Sequence, residues 1–109
     1  MVNTLDARAP RAQLVLECTL RRRTGSPIPA HTVVLGPRGM HVSSPRPLAP
    51  DETVGFELVD QHMRVSGQAR VLRQERLNVY ALRFEGLPDP MTRHLHALAV
   101  NGPPSRRTD

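Results

Sequence analysis

The stretch from Val33 to Val59, VVLGPRGMHVSSPRPLAPDETVGFELV, constrains the fold more than any other part of the chain. A tight Gly36-Pro37-Arg38-Gly39 turn separates two β-forming runs, Ala30 to Leu35 and Met40 to Ser43. Pro45, Pro47 and Pro50 then exclude ladder pairing, because proline has no N–H to donate, so this part is an extended connection. Alternation resumes from Thr53 to Val59, with Val54, Phe56 and Leu58 on one face.

The same period of two recurs on both sides. Leu14, Leu16, Cys18 and Leu20 share one face, with Gln13, Glu17, Thr19 and Arg21 on the other. That pattern marks a half-buried antiparallel strand. Arg22 to Pro27 breaks it. After a hairpin turn at Asp60-Gln61, Met63, Val65, Ala69 and Val71 share a face of a strand reaching about Arg73. Gly67 inside it marks a bulge or a point of close packing. Gln74-Glu75-Arg76 is the expected next turn, and Leu77 to Phe84 the last strand, with Tyr80, Leu82 and Phe84 on one face.

The final element differs in kind. Asp89 is placed as an N-cap with Pro90 at the first helical position. Met91, Leu95 and Leu98 follow at helical spacing, and Asn101-Gly102 ends the run. Six short antiparallel strands favour a closed or nearly closed barrel, since closure removes exposed edges. The apolar stripe of the helix then covers one end or face of it. Residues 1–10 are expected to form a flexible N-terminal arm, 11–101 the barrel with its helix, and 102–109 a disordered tail.

A chain of 109 residues holds one domain with a modest core. It has no run near the roughly 18 apolar residues of a membrane span. Its first residues, MVNTLDARAPRA, lack the basic and apolar regions of a secretory signal. The expectation is a cytoplasmic protein without membrane insertion. Cys18 is the sole cysteine, which excludes an internal disulfide and a cysteine-based metal cluster. Its apolar neighbours make it a core residue rather than a reactive thiol.

The formal net charge of +5 rests on arginine, because the chain has no lysine. Every side-chain cation, histidine apart, is therefore a planar fork suited to phosphates, carboxylates and flat rings. Phe56, Tyr80 and Phe84 are the whole aromatic set. Nucleic-acid binding through Arg21 to Arg23, Arg70 and Arg73 thus lacks stacking platforms and is the least favoured class.

His94 and His96 stand two apart on a helix and cannot share an ion. His31, His41 and His62 are scattered. Ser43-Ser44 lacks a nucleophile-elbow context, and Asp51-Glu52 sits in a loop where capping or solvation accounts for it. Neither a Walker loop nor a dinucleotide fingerprint is present. The expectation is a non-enzyme that requires no metal or cofactor.

Four landmarks carry a family resemblance. They are Gly39 before Met40-His41-Val42, Pro47-Leu48 before the Val54, Phe56, Leu58 strand, Gly67-Gln68-Ala69-Arg70-Val71, and Ala81-Leu82-Arg83-Phe84. Their order and spacing, over roughly Arg8 to Val100, resemble the PilZ domain, a family of small bacterial barrels that sense cyclic di-GMP. The resemblance implies a mainly β fold, a six-stranded antiparallel PilZ-like β-barrel with one C-terminal α-helix.

The resemblance also implies a ligand site. In the family, an Arg-x-x-x-Arg pair before the first strand stacks on guanine and pairs with phosphate. Here Arg8-Ala9-Pro10-Arg11 stands at that place, one residue short. A second motif, Asp/Asn-x-Ser-x-x-Gly, contacts the base. With its glycine on Gly39, Val34 replaces the acid or amide and Gly36 replaces the serine. Gly39 itself is explained by a turn needing positive φ or close backbone approach. Each lost hydrogen bond to a buried polar edge costs about 1 kcal/mol or more. Two such losses with a mis-spaced arginine pair weaken binding about a hundredfold or more.

Two readings follow from the resemblance. The first is a PilZ-like signalling or regulatory module, an adaptor for an unidentified bacterial signalling or motility protein, with weak or no cyclic di-GMP binding. The alternative is a cyclic di-GMP receptor with an altered site. It would use Arg8 and Arg11 as clamps and the backbone of Gly36, Arg38 and Gly39 as an anion nest. The Met91, Leu95, Leu98 stripe is assigned to barrel packing, while Arg93 and His94 lie off it and can lend electrostatic selectivity to a docked protein.

Overall fold

The computed structural model describes residues 10–60 and 64–101. Six strands and one helix follow in order: β1 (Glu17–Arg21), β2 (Ile28–Leu35), β3 (Gly39–Ser43), β4 (Thr53–Val59), β5 (Arg64–Arg76), β6 (Val79–Glu85) and α1 (Asp89–Asn101). The strands close into a barrel in the order β1-β2-β3-β6-β5-β4, with every pairing antiparallel. Closure leaves no strand at an edge. The expected six-stranded barrel with a C-terminal helix is therefore the observed fold.

Alternation decides the interior. Cys18 and Leu20, Met40 and Val42, Val65 and Val71, and Leu82 all point into a single core. Phe56 of this core meets Phe84 at its margin, at a centroid distance of 4.9 Å. Leu48, from the proline-rich connection, is buried against the same cluster.

Several boundaries depart from the sequence reading. Alternation begins at Gln13, but the ladder begins only at Glu17. A side chain bridges the difference: the Thr32 hydroxyl donates to the Leu14 carbonyl and accepts the Leu16 N–H at 2.9 Å. The Thr32 N–H in turn reaches the Leu16 carbonyl at 3.0 Å. Thr32 is fully buried with both hydrogen-bonding roles of its hydroxyl satisfied. Further back, Ala12 pairs with Leu35 through two backbone bonds of 3.0 and 2.9 Å.

The expected turn at Gln74 to Arg76 is strand instead. β5 runs thirteen residues and the chain turns at Leu77-Asn78, where Asn78 takes φ 64°. Asparagine tolerates that left-handed conformation. Two bulges in β5 absorb the extra length: Val71 faces Leu82 but Arg73 faces Ala81, and Gln74 faces Tyr80 but Arg76 faces Val79. Leu72 and Glu75 are thus the inserted residues. Gly67 is not a bulge, since it pairs regularly with Phe56. It is a point of close packing, where a Cβ would lie 2.7 Å from Leu87 Cδ2.

The helix starts one position earlier than its capping pattern suggests. The Pro88 carbonyl accepts the Met91 and Thr92 N–H groups at 3.0 and 3.1 Å, so Asp89 lies inside the first turn rather than capping it. Its charge still favours that end of the helix dipole. Leu95 and Leu98 are buried, while Met91 packs at the margin of the core. The hairpin expected at Asp60-Gln61 lies partly outside the described residues, as do His62, Met63 and the segments 1–9 and 102–109.

Candidate functional site

On the outer face of β2, β3, β6 and β5 the registers form a continuous transverse row. Val34 faces His41, His41 faces Ala81, and Ala81 faces Arg73. A row on one side runs Gly39, Arg83, Arg70, and one on the other runs Ser43, Val79, Arg76. Residues three apart on a regular strand point to opposite faces. One extra residue in each interval restores the parity, so the two bulges bring Arg70, Arg73 and Arg76 onto the same outer face. Sequence periodicity offers no sign of this column.

The Gly36 to Gly39 hairpin closes the end of this face. The Gly36 N–H donates to the Gly39 carbonyl at 3.0 Å, and the Phe84 N–H reaches the Arg38 carbonyl at 2.9 Å. Gly36 is buried, and a Cβ there would lie 2.7 Å from the Pro10 carbonyl oxygen and 3.4 Å from Arg11 Cγ. The glycine standing at the motif serine therefore lets the chain entering β1 press against the hairpin. Positive φ does not explain Gly39: among the described glycines only Gly25 and Gly86 have it. Gly39 is instead buried, paired with Arg83. Pro37 has no N–H and that of Gly36 is already bonded, so two of the four hairpin positions offer no amide to an anion.

The arginine Arg11 lies beside Gly36, Arg38 is exposed at the turn, and Arg8 falls outside the described residues. The His41 imidazole is half-buried at the centre of the face. Burial lowers its pKa below the ordinary 6.5, and Arg11, Arg76 and Arg73 push in the same direction against Glu75. The neutral form of His41 is thereby favoured.

Arginines also form ion pairs within the fold, both on this face and away from it. Arg22 forms a fork with Glu52, with bonds of 2.6 and 2.9 Å, and Glu52 also accepts the Ala49 N–H at 3.0 Å. The bond to Ala49 is the capping expected of Asp51-Glu52, and the fork to Arg22 adds a long-range role that the sequence reading lacks. Arg21 stands 3.9 Å from Glu57, Arg70 bonds Glu85 and Arg73 bonds Glu75, each of the last two at 2.9 Å. Four of the five arginines considered for nucleic acid thus face carboxylates. His94 Nε2 lies 2.9 Å from Asp60 Oδ2, joining α1 to the end of β4. The two residues are too far apart in sequence for any spacing rule to pair them.

A family model described as PilZ domain matches residues 6–100. This chain belongs to the PilZ domain family. Comparison with curated protein sequences finds no match. Among solved structures, this PilZ domain is similar to the Bacillus subtilis inhibitor of motility MotI/DgrA, with a TM-score of 0.75 and 13% identity. The alignment covers 99% of this chain but only 56% of that one, so this chain spans about half the neighbour's length. At such low identity the likeness concerns the fold. As a PilZ domain the chain is a regulatory module, and no helix among the described residues is long and apolar enough to cross a membrane.

Proposed function

We propose that this PilZ domain is a cytoplasmic, non-catalytic adaptor. It acts through contact with a bacterial signalling or motility protein and binds cyclic di-GMP weakly or not at all. The observation that carries this reading is the outer row. Val34, in the place of the family's acid or amide, faces His41 on the outer surface, and Gly36, in the place of the serine, is occupied by close packing against Pro10. An isopropyl group cannot accept the guanine N–H groups, and a serine hydroxyl at Gly36 has no room without moving the Pro10 backbone. The name of the structural neighbour, an inhibitor of motility, is in keeping with a motility partner.

Titration calorimetry with cyclic di-GMP, with GTP as control, tests this directly. Silence at high ligand concentration is expected. Selective binding at micromolar concentration would replace the adaptor by the second reading, a receptor with a rebuilt site. One observation favours that second reading: Arg11, Arg73 and Arg76 surround the same imidazole with Glu75 as the opposing charge, an excess of positive charge. In that case Arg8→Ala with Arg11→Ala abolishes the heat while leaving the thermal midpoint nearly unchanged.

A further inference from the structure

The bulges of β5 place three guanidinium groups in a column on the outer face, with a fourth across from the first. Arg70, Arg73 and Arg76 stand opposite Arg83, Ala81 and Val79 of β6. All four arginines are exposed. Arg70 is tied to Glu85 and Arg73 to Glu75, whereas Arg76 and Arg83 have no carboxylate within ion-pair distance among the described residues. The adjoining outward positions Ala81 and Val79 are apolar and buried, so they add no opposing charge beside the column.

We infer that this column is a docking site for an extended acidic segment of a partner protein, with carboxylates on every second residue. The match is one of charge and repeat. Outward positions of β6 recur every two residues, about 6.8 Å, and the bulged strand keeps its arginines in step with them. An extended peptide presents alternate side chains at the same interval. Bidentate arginine–carboxylate pairs then form at Arg83 and Arg76, two rows apart, while at Arg70 and Arg73 the incoming carboxylates share the guanidinium groups with Glu85 and Glu75. A polyphosphate is the poorer occupant, because its charge is continuous and meets Glu75 and Glu85, whereas alternate carboxylates leave neutral residues between them. All three aromatic rings also belong to the core or its margin, leaving none as a base-stacking platform.

This site rests on the adaptor reading and names the chemistry of its partner. The test is fluorescence anisotropy at low salt with a labelled synthetic peptide alternating glutamate and threonine. It is compared with a peptide of the same composition whose glutamates form one block, and with a single-stranded DNA oligonucleotide of equal charge. The alternating peptide is expected to bind best. Arg76→Glu with Arg83→Glu should weaken it about tenfold or more, while Arg21→Glu with Arg23→Glu, an equal charge change at the end of β1 and off this face, should cost about threefold or less. Circular dichroism checks that each variant is folded, and Arg76→Gln with Arg83→Gln carries the same comparison if reversal disturbs the hairpin.

Equal losses in the two reversal variants, equal binding of the two peptides, tighter binding of the oligonucleotide, or no peptide binding would each overturn the inference. Failure here with a silent cyclic di-GMP titration removes only the acidic-segment site. Selective cyclic di-GMP heat removes the adaptor reading, whatever the peptide does.

Discussion

Two glycines illustrate how the same distance has different consequences. A methyl group at Gly36 would meet the Pro10 carbonyl oxygen at 2.7 Å, and one at Gly67 would meet Leu87 Cδ2 at 2.7 Å. The carbonyl moves only with the backbone entering β1, whereas the leucine methyl is the free end of a side chain. Gly36→Ala is expected to lower stability by about 1–3 kcal/mol, and Gly67→Ala by less, partly offset by reduced freedom of the unfolded chain. Urea denaturation of both variants checks this, and the reverse order would refute the packing account. The sequence marks Gly36 only as a lost hydroxyl. Its need to be glycine comes from Pro10, far away along the chain.

Single interactions at the ends of elements set how firmly those elements are held. Glu52, entering β4, is bonded by Arg22, leaving β1, and that hydrogen bond chiefly holds its carboxyl pKa below the ordinary 4.5. The unfolded chain binds this proton more readily than the folded one. The stabilisation is thus complete above the ordinary value and is lost as pH falls through the depressed one. Because Arg22 is a third exposed, the pair contributes roughly 1 kcal/mol at most at neutral pH. Glu52→Gln should lower the denaturation midpoint at about pH 7 and have a smaller effect at about pH 3; equal losses at both would show that charge is irrelevant there. At the other end of the molecule, His94→Ala removes the contact from α1 to the nearly buried Asp60. Hydrogen exchange should speed up in α1 while β1 to β3 stay protected, at a cost of roughly 1 kcal/mol. Uniform acceleration would mean that helix and barrel unfold as one unit.

The whole barrel decides the accessibility of Cys18. Its thiol is pushed up to about 12 by burial, and β1 lies between β2 and β4 in the closed sheet. A thiol reagent therefore reaches it only when the barrel opens. Labelling in native buffer should be slow, and its dependence on urea should follow the loss of the β-sheet signal in circular dichroism. Rapid labelling without denaturant would show that β1 detaches independently.

What the sequence by itself determined is local in nature. Alternation identified four strands and the Gly36 to Gly39 turn the two that flank it, the prolines identified the connection before β4, and the Pro-Asp-Pro start with Met91, Leu95 and Leu98 identified α1. Val34 and Gly36 were legible as missing polar groups because a motif needs only spacing. Only the tertiary structure decided that β3 lies beside β6, that Leu72 and Glu75 are bulges, and that Arg70, Arg73 and Arg76 share one face. The reason is physical: periodicity is a property of one segment, while register and bulges exist only between two strands. The turn expected at Gln74 to Arg76 failed for that reason, since polar residues there remain strand as long as β6 supplies partners. The arginine column on the outer face is therefore written in the pairing of strands rather than in either strand alone.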